Sequence, residues 1–301
     1  MSNSKYVLIT PARNEEAYIG KTIQSVVSQT VLPLKWIIVS DGSTDETDNI
    51  VKDYLKEYPF IVLLRRTGDT LRNFSSQVFA FNTGYEKLRG LNYDYIGNLD
   101  ADVSFQPDYY ETILKRFLAN PRLGLAGGYI YEEQKGQFKS RPGNRTYSVA
   151  HAVQLFRRSC FEDVGGYVPL KYGGSDWHAQ VMAILKEWEV QAFTDLPVYH
   201  HKPTLTAEGN LKGGFRQGRM DHSLGSSPFF EILKCLSRTN RKPYGLYSAC
   251  RLAGFYWSYI DREERPVSKD VVKCLRKKQF EQIVHTFPNS FRKLSNLKRA
   301  G

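Results

Sequence analysis

The sequence contains no long uninterrupted run of apolar residues. No stretch of its 301 residues approaches the roughly 18 consecutive apolar side chains of a membrane-spanning helix, and residues 1–5 lack the apolar region of a signal peptide. Internal repeats and low-complexity segments are also missing, which excludes fibrous and repeat architectures. The sequence therefore predicts a globular, cytoplasmic protein that is long enough to bury a core.

Cysteine is scarce, and the cysteines are far apart in the sequence. The four residues stand at positions 160, 235, 250 and 274, so no C-x-x-C pair is available for a zinc site. Isolated thiols agree with the reducing environment of a cytosol.

Acidic residues are in the minority, because 31 Asp and Glu face 42 Lys and Arg. The formal net charge of +11 favours anionic partners such as phosphates, acidic lipids, acidic glycans or nucleic acid. After Arg265 only Asp270 and Glu281 oppose a series of basic residues. These are Lys269, Lys273, Arg276, Lys277, Lys278, Arg292, Lys293, Lys298 and Arg299.

This basic segment, residues 265–301, has two interpretations that the sequence leaves open. It is either a solvated helical face or a surface for peripheral contact with the inner face of an anionic membrane, where each basic residue contributes roughly 1 kcal/mol. Binding of nucleic acid is not expected, because no RNP, zinc-finger or helix-turn-helix pattern accompanies the charge.

Strand patterns alternate with helical patterns through the first two thirds of the chain. Strands are predicted at residues 7–10, 36–40, 60–64, 95–99, 124–131, 152–156 and 191–193. Helices are predicted at residues 17–29, 45–57, 74–88, 107–118, 157–164 and 177–188, with a polar loop at 132–144. Such alternation is typical of an α/β protein with a parallel sheet.

The composition changes near Lys202. Residues 204–227 are rich in glycine and polar residues and are predicted to form a flexible loop, and the chain beyond them is helical and aromatic. We therefore predict a nucleotide-binding and catalytic domain at residues 1–205 and a C-terminal helical, basic extension at 206–301. The aromatic side chains of this extension are expected to pack in its core.

Acidic residues follow three of the predicted strands at the points where the strands end. Asp100 and Asp102 follow the strand at 95–99, residues 11–16 follow the first strand, and residues 41–45 follow the second. In open α/β sheets ligands bind outside the carboxyl ends of the strands, so the three motifs predict one crevice. Paired carboxylates there suit Mg²⁺ or Mn²⁺, which bind oxygen ligands together with phosphates. Asp102 is the expected direct metal ligand.

In combination, these motifs resemble family 2 glycosyltransferases of the GT-A fold. The resemblance rests on residues 11–16, 41–45, 80–84, 99–102, 165–167, 176–177 and 198–201. It implies an α/β, GT-A architecture in which a Rossmann-like, mainly parallel sheet is flanked by helices, here followed by a C-terminal helical extension.

The resemblance also implies an activity. The expected enzyme is an inverting, metal-dependent hexosyltransferase that uses Mn²⁺ or Mg²⁺ and a nucleoside-diphosphate sugar, with uridine favoured as the base. Its acceptor would be a hydroxyl of a glycan or a lipid-linked molecule in the synthesis of surface polysaccharide or glycolipid. Gln217 and Arg219 match the Q-x-x-R-W element of processive members poorly, so we expect a non-processive enzyme.

Several residues are implied to bind the nucleotide sugar. They are Pro11, Ala12, Arg13, Glu15, Asp41, Asp100, Ala101, Asp102 and Arg219. Asp41 matches the residue that binds the base; a helix N-cap is the alternative, and the two roles could coexist. Arg13 stands where the family commonly has an aromatic residue and could instead face a phosphate. Arg219 would clamp the diphosphate, with an ordinary surface arginine as the alternative.

Asp176 is the candidate general base, because it follows a glycine-rich turn and opens a predicted helix. Ser175 departs from the Glu-Asp pair common in the family, and the alternative for Asp176 is a helix N-cap. His200 or His201 would complete the metal site, since strand alternation sends the two rings to opposite faces. The resemblance favours His200, and a structural role is the alternative.

Two other classes of function are alternatives to a glycosyltransferase. A nucleotidyltransferase shares a similar sheet and paired carboxylates, but it needs a triphosphate loop with glycine and lysine, and residues 11–16 contain neither. A non-catalytic glycan- or membrane-binding module would not need to retain Asp102, Asp176 and a histidine together.

Overall fold

The computed structural model describes residues 4–67, 75–134, 136–202, 210–237 and 245–286. The chain divides into two compact units, residues 1–204 and residues 205–301. In the first unit the strands are β1 (Tyr6–Ala12), β2 (Lys35–Asp41), β3 (Ile61–Arg66), β4 (Tyr95–Asn98), β5 (Val103–Phe105), β6 (Leu123–Gln134), β7 (Gln137–Ser140), β8 (Leu155–Arg157) and β9 (Glu189–His200). The helices are α1 (Ile19–Val27), α2 (Thr47–Leu55), α3 (Ser76–Glu86), α4 (Tyr109–Ala119), α5 (Arg158–Asp163) and α6 (Ser175–Leu185).

These strands form one mixed sheet in the order β3-β2-β1-β4-β8-β6-β9-β5, with β7 paired to β6. β1 runs parallel to β2 and β4, and β2 runs parallel to β3. β8 is antiparallel to β4 and β6, whereas β9 is parallel to β6 and antiparallel to β5. The parallel half brings the carboxyl ends of β1, β2 and β4 to one edge, where the sequence predicted a crevice.

Strand β1 illustrates how the sheet is covered on both faces. Tyr6 and Leu8 belong to a buried cluster that includes Ile19 of α1, whereas Val7 and Ile9 belong to a second cluster that includes Phe81 of α3. Successive strand side chains point to opposite faces, so a strand that is buried on both faces is apolar throughout. This rule explains why the apolar runs located the parallel strands well.

Two predictions for the first unit are wrong in part. The polar stretch at residues 132–144 is not a loop throughout, because β6 continues to Gln134 and pairs with β7 in a hairpin. All β7 side chains are exposed, so no apolar pattern marks this strand. The strand predicted at 152–156 begins only at Leu155, and it follows a 3₁₀ turn at His151–Val153.

The second unit is helical in its described part, with α7 (Asn210–Ser223), α8 (Pro228–Leu236), α9 (Leu246–Ile260) and α10 (Lys269–Thr286). The loop predicted at residues 204–227 is therefore wrong from Asn210 onward, while residues 203–209 lie outside the described residues. The glycines of α7 serve close packing, because a Cβ atom on Gly218 would lie 1.9 Å from the carbonyl oxygen of Arg251 in α9.

The aromatic residues of the second unit do not all pack in its core, as the sequence had suggested. Phe255 is buried, but Phe229 and Trp257 are exposed, and Tyr244 lies outside the described residues. The basic residues Arg292, Lys293, Lys298 and Arg299 also lie outside them. No helix in the described ranges combines the length and the apolar character that crossing a bilayer requires.

Candidate active site

Asp100, Asp102 and His200 form a cluster at the carboxyl edge of the sheet. One ligand atom from each residue lies within 4.8 Å of the others, a spacing that could hold a metal ion. Strand pairing creates the cluster, because β5 runs antiparallel to β9 with Val103 opposite His200. The ring of His200 therefore meets the carboxylate that immediately precedes β5, with Nε2 3.3 Å from Oδ1 of Asp102.

The two histidines at the end of β9 have different partners. Nε2 of His201 lies 2.8 Å from the hydroxyl of Ser104, and its ring stacks on Tyr18. His200 is thus the histidine that the structure brings to the carboxylates. The opposite directions of the two rings follow the strand alternation that the sequence predicted.

Asp100 is surrounded by hydrogen-bond donors. Its Oδ1 accepts hydrogen bonds from Gln77 at 3.0 Å and Asn98 at 3.2 Å, and Nδ1 of His151 lies 3.6 Å away. Burial alone would raise the pKa of Asp100, but the contact and charge of His151 outweigh it and lower that pKa. Asp100 is therefore held as an oriented carboxylate.

Asp102 has the opposite environment. Burial, followed by the charges of Asp100 and Glu15, raises the pKa of Asp102 to about 8. Its buried Oδ1 accepts no hydrogen bond from the described residues. A buried carboxylate oxygen without a donor, next to an imidazole and a second carboxylate, fits a divalent cation with oxygen and nitrogen ligands.

The segments that follow β1 and β2 are tied to each other by hydrogen bonds. The amide of Asn14, which has a φ of 54°, donates to Ser43, and the side-chain oxygen of Asn14 accepts from the amide of Thr44. The amide of Glu15 donates to the hydroxyl of Thr47. Because these bonds cross between residues 13–16 and 43–47, the two predicted nucleotide-binding segments form one wall of the site.

Two basic residues approach this wall from elsewhere in the first unit. Arg66 donates to the buried carboxylate of Asp41 at 2.8 Å, because Asp41 and Arg66 are register partners on β2 and β3. Nζ of Lys202 lies 2.6 Å from Oε1 of Glu15. Asp41 is the last residue of β2 and lies outside α2, which begins at Thr47, so it is not the N-cap of that helix.

Arg13 directly follows β1, and one nitrogen of its guanidinium group has no hydrogen-bond partner among the described residues. That nitrogen is the buried Nη1 atom. Pro11 and Ala12 occupy the end of β1 directly before Arg13. A buried guanidinium nitrogen without a hydrogen-bond partner among the described residues, at the carboxyl end of a parallel strand, suits an incoming anion.

Asp176 lies in the first turn of α6. The N-cap of this helix is Gly174, with a φ of 91°, so the alternative of Asp176 as the N-cap does not hold. Burial lowers the pKa of His151, but Asp100 and then the charge of Asp176 raise it above its ordinary value. The charge of Asp176 is thus felt at a residue that contacts Asp100.

Arg219 belongs to α7 of the second unit. It forms ion pairs with Asp261 at 2.8 Å and with Glu263 at 3.1 Å. Its predicted contact with a diphosphate stays a prediction.

Sequence reasoning missed five residues of the site: Arg66, Gln77, Asn98, His151 and Lys202. Asn98 could have been found, because it stands two residues before Asp100 on the same strand. Arg66 ends β3, which runs parallel to β2 and extends two residues beyond the predicted strand at 60–64. Gln77 and His151 come from α3 and a 3₁₀ turn, and no local pattern marks them.

Comparison with known proteins agrees with this geometry. The profile of glycosyl transferase family 2 matches residues 7–168. Chondroitin synthase of Pasteurella multocida is 29% identical over 161 residues, which cover 48% of this chain and 15% of that protein. Poly-beta-1,6-N-acetyl-D-glucosamine synthase of Staphylococcus epidermidis is 26% identical over 274 residues, which cover 82% of this chain and 61% of that protein. The chain thus spans less than two thirds of either relative.

Solved structures share the fold at low sequence identity. A mannosyltransferase from Pyrobaculum calidifontis, in complex with GDP-Man and Mn²⁺, is 16% identical with a TM-score of 0.55 over 98% of this chain and 84% of that one. TarS of S. aureus (residues 1–349), in complex with UDP-GlcNAc, is 13% identical with a TM-score of 0.55 over 90% of this chain and 78% of that one. The predicted GT-A fold is therefore confirmed. Since the family profile matches more than half of the sequence, the chain belongs to glycosyl transferase family 2.

Proposed function

We propose that this protein is an inverting, metal-dependent and non-processive glycosyltransferase, and that it moves one sugar from a nucleoside-diphosphate sugar to a hydroxyl acceptor. The observation that carries the proposal is the cluster of Asp100, Asp102 and His200, with ligand atoms within 4.8 Å. Structural neighbours that bind GDP-Man with Mn²⁺ or UDP-GlcNAc support the donor class. Uridine is the favoured base by the family resemblance.

Asp102 and His200 would hold Mn²⁺ or Mg²⁺, with Asp100 oriented beside them by His151 and two amides. When bound, such a cation supplies positive charge against the diphosphate that leaves. Asp41, fixed by Arg66, is assigned to the base, and the unpaired Nη1 of Arg13 is assigned to a phosphate oxygen. The family relation weighs against the nucleotidyltransferase and the non-catalytic module.

Asp176 is assigned as the general base. It accepts the proton of the acceptor hydroxyl while the hydroxyl oxygen bonds to the anomeric carbon of the sugar and the bond from that carbon to the diphosphate breaks. A single displacement of this kind inverts the anomeric configuration. The electrostatic influence of Asp176 on His151 supports its proximity to Asp100.

A non-processive reaction is proposed because Gln217 and Arg219 match the Q-x-x-R-W element of processive members poorly. Oε1 of Gln217 accepts hydrogen bonds from Tyr247 and Arg251, and Arg219 is ion-paired with Asp261. Both residues are thus engaged by other helices of the second unit. Arg219 would bind the diphosphate only after its ion pair with Asp261 opens.

The acceptor is proposed to be a glycan or a lipid-linked molecule in the synthesis of surface polysaccharide or glycolipid. Relatives named as polysaccharide synthases support this class. A cytoplasmic location, with peripheral contact at the inner face of the membrane, belongs to the same proposal. The four free cysteines of the chain agree with it.

Thermal unfolding with UDP, GDP, dTDP and CMP, each with and without Mn²⁺, tests the donor site. A matching nucleotide at a hundred times its Kd should stabilise the protein by roughly 2.7 kcal/mol. The stabilisation should require Mn²⁺ and vanish in Asp102→Ala, but persist in Asp53→Ala, which removes an exposed carboxylate on α2. An equal response of both variants would contradict the assignment of Asp102.

Asp176→Asn separates catalysis from binding. This variant should keep the nucleotide response while its turnover falls by about 10²–10⁴-fold, because only proton transfer is lost. The anomeric configuration of the product, read by NMR, tests inversion. Full turnover in Asp176→Asn, or a product with retained configuration, would exclude the proposed role.

A further inference from the structure

The net charge of the chain is confined to its second unit. Residues 205–301 contain 19 Lys and Arg against 8 Asp and Glu, whereas residues 1–204 contain 23 of each kind. The excess of 19 over 8 accounts for the whole formal net charge of +11. Any electrostatic attraction to an anionic surface therefore acts on the helical unit.

The interior of this unit is unusually polar. Four charged side chains from three helices form one network: Asp221 of α7, Glu231 and Lys234 of α8, and Arg251 of α9, of which all but Lys234 are buried. Arg251 lies 2.7 Å from Glu231 and is also paired with Asp221. Lys234 lies 2.8 Å from Glu231 and 3.1 Å from Asp221. Two acids thus face two bases where an apolar core is usual.

The outer faces of α8 and α9 are apolar. On α9 the exposed positions include Leu246, Ala249, Ala253, Tyr256, Trp257 and Ile260, and Arg251 is the only charged residue of the helix. On α8 the exposed positions include Phe229 and Ile232. Trp257 and Ile260 are 48% and 70% exposed, although both are large apolar side chains. The spacing of three and four residues places the α9 set on a single stripe.

The exposed apolar stripe of α9 departs from the usual pattern of a water-soluble helix, in which apolar residues face inward as Phe255 does here. Trp and Tyr on such a surface suit the boundary between headgroups and acyl chains. With 15 residues, α9 is about 22 Å long and suits a position along this boundary.

The second unit also exposes basic residues on its last described helix. Lys269, Lys273, Arg276 and Lys277 lie on the solvent side of α10, and α10 is joined to the start of α8 by hydrogen bonds between Gln279 and residues 226–227. A second copy of the chain is a poor occupant, because two such units carry like charge and repel. An anionic bilayer satisfies both the charge and the apolar stripe.

We propose that the second unit docks on anionic lipid bilayers, with the exposed stripes of α8 and α9 inserted at the headgroup boundary and the basic residues of α10 on the headgroups. This surface would make the peripheral membrane contact that belongs to the proposed function. It does not depend on the donor chemistry, because all of its residues lie within residues 205–301.

Flotation of the full chain with lipid vesicles tests the proposal. The vesicles contain phosphatidylcholine alone or phosphatidylcholine mixed with phosphatidylglycerol. The Trp257→Glu, Ile260→Glu double variant is compared with Leu32→Glu, Leu118→Glu, which changes the net charge equally at leucines of the first unit that are 46% and 49% exposed. The wild type should float with the mixed vesicles in low and high salt.

The first double variant should lose about tenfold or more in partitioning, while the second should change less than about twofold. Equal binding by both variants, or complete release of the wild type by high salt, would overturn insertion. Sedimentation without lipid tests whether a second copy of the chain covers the stripe instead. If the wild type is a dimer and the Trp257→Glu, Ile260→Glu variant is a monomer, the stripe is a protein contact and the proposal is overturned.

Tryptophan fluorescence provides a readout that does not depend on the folding of a charged variant. Vesicles with brominated acyl chains should quench the wild type more than Trp257→Phe, which keeps an aromatic ring and should still float. Quenching that is equal in both proteins would contradict insertion of Trp257. Asp102→Ala should abolish the nucleotide response without changing flotation, so failure of the proposed function and failure of this inference are distinguishable.

Discussion

Asp100 and Asp102 are two residues apart in the sequence, but their surroundings push their proton affinities in opposite directions. Amide and imidazole groups around Asp100 favour its carboxylate, whereas burial and two neighbouring acids raise the pKa of Asp102 to about 8. Paired titratable groups with separated pKa values are typical of functional sites. Asp100 is thus kept charged, whereas Asp102 carries a proton at neutral pH that a bound cation would have to displace.

The pKa of Asp102 predicts how cation binding depends on pH. Below pH 8 this carboxyl carries a proton that Mn²⁺ must displace, so the apparent affinity should rise by up to about tenfold per pH unit between pH 6 and 8 and then level off. Isothermal titration in buffers of different ionisation enthalpy measures the affinity and the proton released. Asp102→Asn removes the titrating group and should bind Mn²⁺ weakly at every pH. A flat affinity between pH 6 and 8 in the wild type would refute this explanation.

The position of these acids at the sheet edge was predictable from sequence, but their neighbouring residues were not. A strand followed by Asp-Ala-Asp is a local pattern, and the position of a carboxyl end at the sheet edge follows from topology alone. His151 contacts Asp100 across 50 intervening positions, and its place is decided by how the 3₁₀ turn packs against β4. Local periodicity contains no information about such a contact.

At the scale of elements, the helices and parallel strands of the first unit form where the periodicity of apolar residues predicts them. The glycine-rich helix α7 is the exception. Glycine is a poor helix former, so a stretch with Gly213, Gly214 and Gly218 predicts a loop. Packing against α9 reverses this preference, because Cβ atoms on Gly218 and Gly254 would each lie 1.9 Å from a backbone oxygen of the other helix. Tertiary contact thus overrides local propensity here.

Gly218→Ala tests this explanation. The added methyl group meets the backbone of Arg251, which cannot rotate away, so the helices must separate and the free energy of unfolding should fall by about 1–3 kcal/mol. Urea unfolding followed by far-UV circular dichroism measures the change. Without packing, the same substitution would stabilise a helix by removing a flexible residue.

Gly20→Ala is the matched control on α1. Its Cβ atom would meet only Cγ2 of Ile50, at an ordinary 3.8 Å. This variant should gain roughly 0.5–1 kcal/mol, which is the intrinsic preference of a helix for alanine. If both substitutions shift stability in the same direction, close packing is not the reason for glycine at position 218.

At the scale of the molecule, chemistry and charge are divided between the two units. The first unit has equal numbers of acidic and basic residues and carries the acid cluster, whereas the second carries the whole net charge. The site is built from segments that are distant in sequence, at residues 11–16, 41–47, 98–102 and 200–202. The sequence predicted the first three because each follows a strand of the parallel half, and the family resemblance predicted His200 in the fourth.

Hydrogen exchange in the presence of UDP and Mn²⁺ tests whether these segments act as one site. All four should exchange more slowly, by up to about 100-fold at a hundred times the Kd, because the bound ligand must leave before any of them opens. Helix α4, which supplies no residue to the cluster, should be unchanged. Slowing of a peptide that contains Arg219 would support its role as a clamp.

Asp102→Ala provides the control for this experiment, since the loss of one ligand of the cation should reduce protection in all four segments together. If only residues 41–47 lose protection, the base-binding segment acts without the acid cluster and the single-site description is wrong. Protection concentrated in the β6–β7 hairpin would place the nucleotide elsewhere on the sheet. If all four segments lose protection together, the donor site is assembled by the order of the strands in the sheet and not by residues that are neighbours in the sequence.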